Sequence, residues 1–240
     1  YTMAHATYPL KCMLTPDVPG NAGCYRPMSV TAPQSSIFNC DKPKAVDTRV
    51  RTGWYIAPNV FGALADAAPD RVQGFTGIPS SALFHGKGAD GQYYNDHLFQ
   101  GGGQGASSQG DGKSALLYPT SAANTSVELF ETRVPVVVIE KALLPDSGGP
   151  GRKRGGLAQI VSTRKLSDND ELCQVGIYPN GVKAPMQGLY GGRPGRSGSA
   201  RFMESDGSVR DLGVGALAHF TETHQRGDLI LSGGSGYGDP

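Results

Sequence analysis

The chain has 240 residues, 38% of them apolar and 18% charged, with a formal net charge of +1. That balance supports a packed core and excludes wholesale disorder. The charges are spread along the chain and leave no nucleic-acid footprint, and no apolar run reaches the roughly 18–20 residues of a membrane helix.

Glycine is the outlier. There are 35 glycines beside 17 prolines, without the G-X-Y period of collagen. They predict tight turns, close backbone approaches and a fold of the α+β class that is predominantly β. Loop-rich, glycine-rich mixed or antiparallel sheets with few short helices are expected. No signal-like segment occurs, and the chain opens on Tyr1 in a strand-like stretch, as a fragment or processed piece would. Cysteines stand at 12, 24, 40 and 173, with no C-x-x-C and no histidine at finger spacing, so no zinc pattern is present. Reduced, buried thiols in a cytoplasmic protein are the expectation.

Residues 1–40 alternate short apolar runs with Pro and Gly and read as strands, with Pro19-Gly20-Asn21 as a breaker and a short strand at 28–31. Residues 41–46 are a proline-bearing connector. The best helix lies at 58–68, where Val60, Phe61, Leu64, Ala65 and Ala68 share one face behind Pro58. Strands follow at 72–78 and 81–85. The interval 86–114 is polar and glycine-dense, a possible sub-boundary, yet it embeds QYYNDHLFQ, an aromatic strand candidate. An ordered functional loop or a linker both fit the rest. Strands are then expected at 116–118, 127–130 and 134–144, the last apolar, β-branched and buried. Two more at 157–162 and 172–176 flank the charged turn KLSDNDE. A hairpin at 200–203 and 208–212 pivots on Asp206-Gly207 as a two-residue turn, and a last strand, 228–231, leads into SGGSGYGDP.

The most informative segment is LLPDSGGPGRKRGG, 143–156. A strand that opens into a glycine-rich, cation-bearing turn presents backbone N–H groups and positive side chains together, which suits an anion or a docked chain. Asp146, Ser147, Gly148 and Gly149, with Arg152 and Arg154, are the candidate substrate or anion site. Equally, Asp146 and Ser147 would cap their own turn while the arginines pair with acids elsewhere. Gly101, Gly102 and Gly103 open a loop, 101–112, that would either close over a ligand or mark a close backbone passage. No G-x-x-x-x-G-K-[ST] phosphate loop and no G-x-S-x-G elbow occurs. His85 and His97, near Asp90 and Asp96, match no metal-ligand spacing, so no metal site is assigned and catalytic residues stay unassigned.

Six segments in order carry a resemblance: PGNAGCYRPMSVTAPQSSIFN at 19–39, FQGGGQGASSQGDG at 99–112, NTSVELFETRVPVVV at 124–138, LLPDSGGPGRKRGGLAQI at 143–160, QGLYGGRPG at 187–195 and GDLILSGGSGYGDP at 227–240. Together they resemble the C-terminal half of the hydantoinase B and 5-oxoprolinase family, which also includes acetone and acetophenone carboxylase large subunits. The resemblance spans 1–240 and departs from the family at Ser235 and Ser35, where glycine is usual. It implies ATP-dependent hydrolysis of cyclic amides of the hydantoin, 5-oxoproline or lactam type. A ketone carboxylase subunit and a non-catalytic assembly domain are the alternatives. It further implies a hydantoinase A-type ATP-binding partner and an upstream N-terminal half carrying the metal motif. ATP and a divalent metal then act in the complete complex, with none expected on this piece alone.

Overall fold

The computed structural model describes every residue except positions 48, 89, 170 and 171. Two positions of the expected turn KLSDNDE and one of GKGADG thus lie outside the described residues. The chain divides into two compact units, Tyr1–Gln73 and Gly74–Pro240, and the interval 86–114 falls inside the second.

The first unit is helical, against the expected short strands. Helix α1 (Thr2–Leu14) contains Pro9 and buries Thr7, Pro9 and Met13. Proline and the β-branched residues suggested strands, yet packing overrides these preferences. The end of α1 is closed by side chains: Lys11 donates to the carbonyls of Thr15 and Pro16, and Arg71 to that of Met13 at 2.8 Å. The breaker at Asn21 starts a helix rather than separating strands, because its side chain accepts from Gly23 and Cys24 and caps α2 (Ala22–Tyr25). Residues 28–31 form no strand. After α3 (Arg49–Gly53), α4 (Ile56–Ala63) realises only the first part of the expected helix, starting two residues early and ending five before 68, burying Ala57, Pro58 and Phe61 and packing on α1. Pro69–Arg71 adds a 3-10 turn.

The second unit holds two antiparallel sheets. One, ordered β2-β1-β5-β8, comprises β1 (Ser80–Lys87), β2 (Tyr93–Gln100), β5 (Cys173–Tyr178) and β8 (Ala216–Phe220). The other, ordered β3-β4-β9-β6-β7, comprises β3 (Val136–Leu143), β4 (Gln159–Lys165), β6 (Ser199–Met203), β7 (Val209–Asp211) and β9 (Arg226–Ile230). Alternating residues of both sheets form one core, with Phe84, Phe202 and Phe220 beside Val161, Val175 and Leu229. Phe84 meets Phe130 edge-on at 5.2 Å and Phe202 meets Phe220 at 5.1 Å.

Phe130 comes from helix α5 (Val127–Glu131), where a strand was expected; Ser126 caps it by accepting from Leu129. Strand β3 is an edge strand, largely exposed after Val136, and not the buried strand its composition suggested. Strand β8 has no counterpart among the expected elements, and 116–118 forms no named strand. The β6–β7 connection is a three-residue loop: Glu204 N–H bonds Ser208, Gly207 N–H bonds Glu204, and Gly207 takes φ +81°. All four cysteines are free, but only Cys173 is buried and Cys40 is exposed.

The glycine segments account for the composition. Segments 74–79, 101–106, 144–158, 188–198 and 231–238 belong to no sheet ladder and, apart from turns at 145–146 and 190–191, form no other regular element. Along the last of these, Gly233 and Gly236 donate to Arg196 and Arg193, Gly234 and Tyr237 to Gly156 and Lys153, and Ser235 to Phe75. The partner segment returns every third residue. The same holds on 101–106, where Gly103 and Ala106 donate to Ser232 and Ser235 and accept from Gly77 and Gly74. A β-strand changes face with period two; a three-residue repeat without internal bonds is that of a polyproline II chain. The unit therefore joins a β-sandwich to a bundle of three-residue-per-turn chains bonded through their backbones. Their N–H and C=O groups are satisfied between chains, as burial demands. A Cβ on Gly103 would overlap the Gly156 carbonyl and stand 2.5 Å from the Gly234 nitrogen. Side chains are excluded from these contacts by volume.

Candidate functional site

On one flank of the bundle, the end of the 101–112 loop faces the 146–157 turn across a groove of about 510 Å³. Glycines at 112, 148, 151, 155 and 156 make much of its wall, with Pro150 and Leu157 as apolar surface and Asp111, Ser114, Asp146 and Arg154 as polar groups. The Arg154 backbone N–H donates to Asp111 Oδ1 at 2.8 Å, fixing the carboxylate. The guanidinium only approaches Oδ2, at 3.5 Å, and its side chain is 77% exposed. That backbone hydrogen bond is the main cause holding the Asp111 carboxyl below the usual carboxylate range, aided by the charge of Arg154. Asp111 is therefore ionised at neutral pH. Asp146, exposed, sits on the groove lining in a left-handed backbone conformation, φ +53°.

The sequence-predicted residues separate here. Asp146, Gly148 and Arg154 line the groove. Ser147 is buried in the turn: its hydroxyl donates to Leu144 at 2.6 Å and accepts from Ala158 at 2.8 Å. It caps the turn and is not poised as a nucleophile. Gly149 donates to Gly234, Gly103 to Ser232, and Gly101 to Asn124 Oδ1; these N–H groups are committed within the protein, and Gly101, Gly102 and Gly103 are buried. Arg152 is exposed with its side chain against Gly238, off the groove. Asp111, Ser114 and Leu157 were not singled out from sequence. The visible signal for Asp111 was a lone acid between two glycines, Gly110 and Gly112.

The histidines do not gather. His85 and His97 lie on β1 and β2, opposite Asn95 and Leu83. His97 stacks on Phe99 at 5.4 Å, and burial lowers its pKa. Asp96 is engaged by Arg133 at 2.8 Å, and His219 by Gln174. Among the described residues no three of His, Cys, Asp or Glu stand together to hold a metal ion. The groove offers one guanidinium against two carboxylates, a poor match for a triphosphate. The groove is therefore not suited to ATP.

The profile of the Hydantoinase B/oxoprolinase family matches residues 1–240. The chain belongs to that family. An uncharacterized protein of Methanocaldococcus jannaschii is 31% identical over 100% of this chain and 41% of its own length. The 5-oxoprolinase 1 of Arabidopsis thaliana is 27% identical over 99% of this chain and 18% of its own length. The crystal structure of the ATP-dependent caprolactamase of Pseudomonas jessenii shares the fold, with a TM-score of 0.86 at 23% identity, over 100% of this chain and 43% of that one. This hydantoinase B-family chain thus spans less than half the length of each of these relatives. Among its described residues no helix is long and apolar enough to cross a membrane.

Proposed function

We propose that the chain is the C-terminal portion of a hydantoinase B-type subunit in an ATP-dependent hydrolase of cyclic amides. It completes the substrate cavity and contributes to the contact with a hydantoinase A-type, ATP-binding partner. The family match along its whole length carries this reading. Nucleotide and divalent metal are assigned to the partner and to the remainder of the subunit, as the family resemblance implies. The groove between Asp111 and Arg154, with Asp146 and Gly148, is the part of the cavity assigned to this chain. Ser147, Gly149 and Gly101–Gly103 support it as scaffold.

The test is to express the full-length subunit with its neighbouring ATP-binding partner and follow ADP release. Stimulation by lactams, hydantoins or 5-oxoproline is expected. Bicarbonate-dependent turnover of a ketone would instead assign a carboxylase. A stable complex in which Arg154→Ala leaves turnover intact would remove the groove from the cavity.

A further inference from the structure

We propose that Asp111 and Arg154 form one recognition element that reads the cis edge of a ring amide, so selecting cyclic over linear secondary amides. This rests on the cyclic-amide reading above and assigns its specificity to two side chains.

The argument starts from what each group lacks. Asp111 Oδ1 is held by the Arg154 backbone N–H, but Oδ2 has only the guanidinium at 3.5 Å. That is the outer limit of a hydrogen bond. The arginine and aspartate side chains are 77% and 48% exposed, in a groove walled largely by glycine. A carboxylate and an exposed fork of N–H donors therefore stand side by side, both on the lining of the same groove. The carboxylate is acceptor-only when ionised, and the guanidinium is donor-only.

Their complement is a neutral group that offers one donor and one acceptor on the same edge. A trans secondary amide cannot do this, because its N–H and C=O lie in the amide plane but point to opposite sides of the C–N bond. Linear secondary amides are almost all trans. A small ring forces the amide cis and places N–H and C=O on one side. The N–H then donates to Asp111 Oδ2, and the carbonyl accepts from Arg154 in place of the long ion-pair contact. The backbone bond to Oδ1 survives, so the carboxylate need not move. The glycines leave room beside Pro150 and Leu157, whose apolar surface the hydrocarbon part of the ring can cover.

The experiment is a chemical double-mutant cycle on the full-length subunit with its ATP-binding partner. It measures kcat/KM for 2-pyrrolidinone, ε-caprolactam and their N-methyl derivatives. N-methylation deletes the donor that Asp111 would accept. Wild type should prefer the N–H lactams by roughly ten- to hundredfold, the range for a hydrogen bond to a charged group. In Asp111→Asn the preference should collapse to within a few-fold, because the partner of the deleted donor is already altered. Arg154→Lys should lower kcat/KM for N–H and N-methyl lactams alike, by losing the fork to the carbonyl, with an unchanged melting temperature. If Asp111→Asn slows all four amides equally and keeps the wild-type preference, Asp111 only shapes the turn and the proposal falls while the cyclic-amide reading stands. If wild type turns over no lactam, hydantoin or 5-oxoproline, both fall.

Discussion

The second unit solves the same problem, burying a chain, in two opposite ways. In the sandwich the core is made by side chains, Phe84, Phe130, Phe202 and Phe220 among them, and the backbone stays at the periphery of each contact. In the bundle the backbones themselves touch, and Ser232 and Ser235 are fully buried with Gly233, Gly234 and Gly236 beside them. A side-chain core tolerates changes that conserve volume, because neighbours can repack. A backbone core has no rotamers to adjust. The same unit should thus contain one region that degrades gradually under mutation and another that fails at a single methyl group.

The sharpest break of this contrast is Gly103→Ala. The new Cβ meets backbone atoms of Gly156 and Gly234 that cannot swing away. We expect a loss exceeding about 5 kcal/mol, read as failure of the second unit to give a cooperative thermal transition. An ordinary melt would show that the bundle can part. Next, Phe202→Ala should cost about 3–5 kcal/mol and Phe202→Leu less than half of that, measured by chemical denaturation. Equal costs would deny the repacking ascribed to the sandwich. At a middle scale, Ser126→Ala removes the cap of α5 and should cost about 1 kcal/mol. Gly110→Ala lies in the same glycine motif as Gly103, but nothing stands within 4 Å of its Cβ. It should stay within about 0.5 kcal/mol of wild type.

The smallest effect is electrostatic. The Asp111 carboxyl is held low, so its stabilisation is present above the ordinary carboxylate range and disappears as pH falls through the depressed folded value. The site is solvated, so Asp111→Asn should shift stability at pH 7 by only a few tenths of a kcal/mol. The wild-type and variant stability curves should converge towards acid pH.

Much of the sandwich could be read from the sequence. QYYNDHLFQ, the 134–144 run, the 200–212 hairpin and the final strand announced themselves through β-branched or aromatic runs between turn residues. The helices of the first unit did not, because Pro9 inside α1 and the short span of α2 obscure the helical period. Helix α5 was hidden by Val127 and Phe130, although Ser126 with Glu128 behind it was a visible start signal. The glycine segments read as turns because local patterns reveal φ freedom but not distance. Whether Gly103 sits in a bend or against another backbone depends on segments more than fifty residues away. The groove was half legible for the same reason: Arg154 stood in the motif, whereas Asp111 enters it from a loop 43 positions earlier.

Six of the described strands, β1, β2, β3, β4, β6 and β9, are continuous at one end with bundle chains, β1, β4 and β6 emerging from them and β2, β3 and β9 leading into them. Each such chain is bound by two incompatible clocks, one ticking in twos across the pleat and the other in threes around the bundle. Sliding a strand by two residues would restore its inward and outward faces but set the wrong residue against each neighbouring carbonyl. Only a slide of about six would satisfy both. The glycine bundle thereby proofreads strand alignment, and a misregistered sandwich has no way to close it.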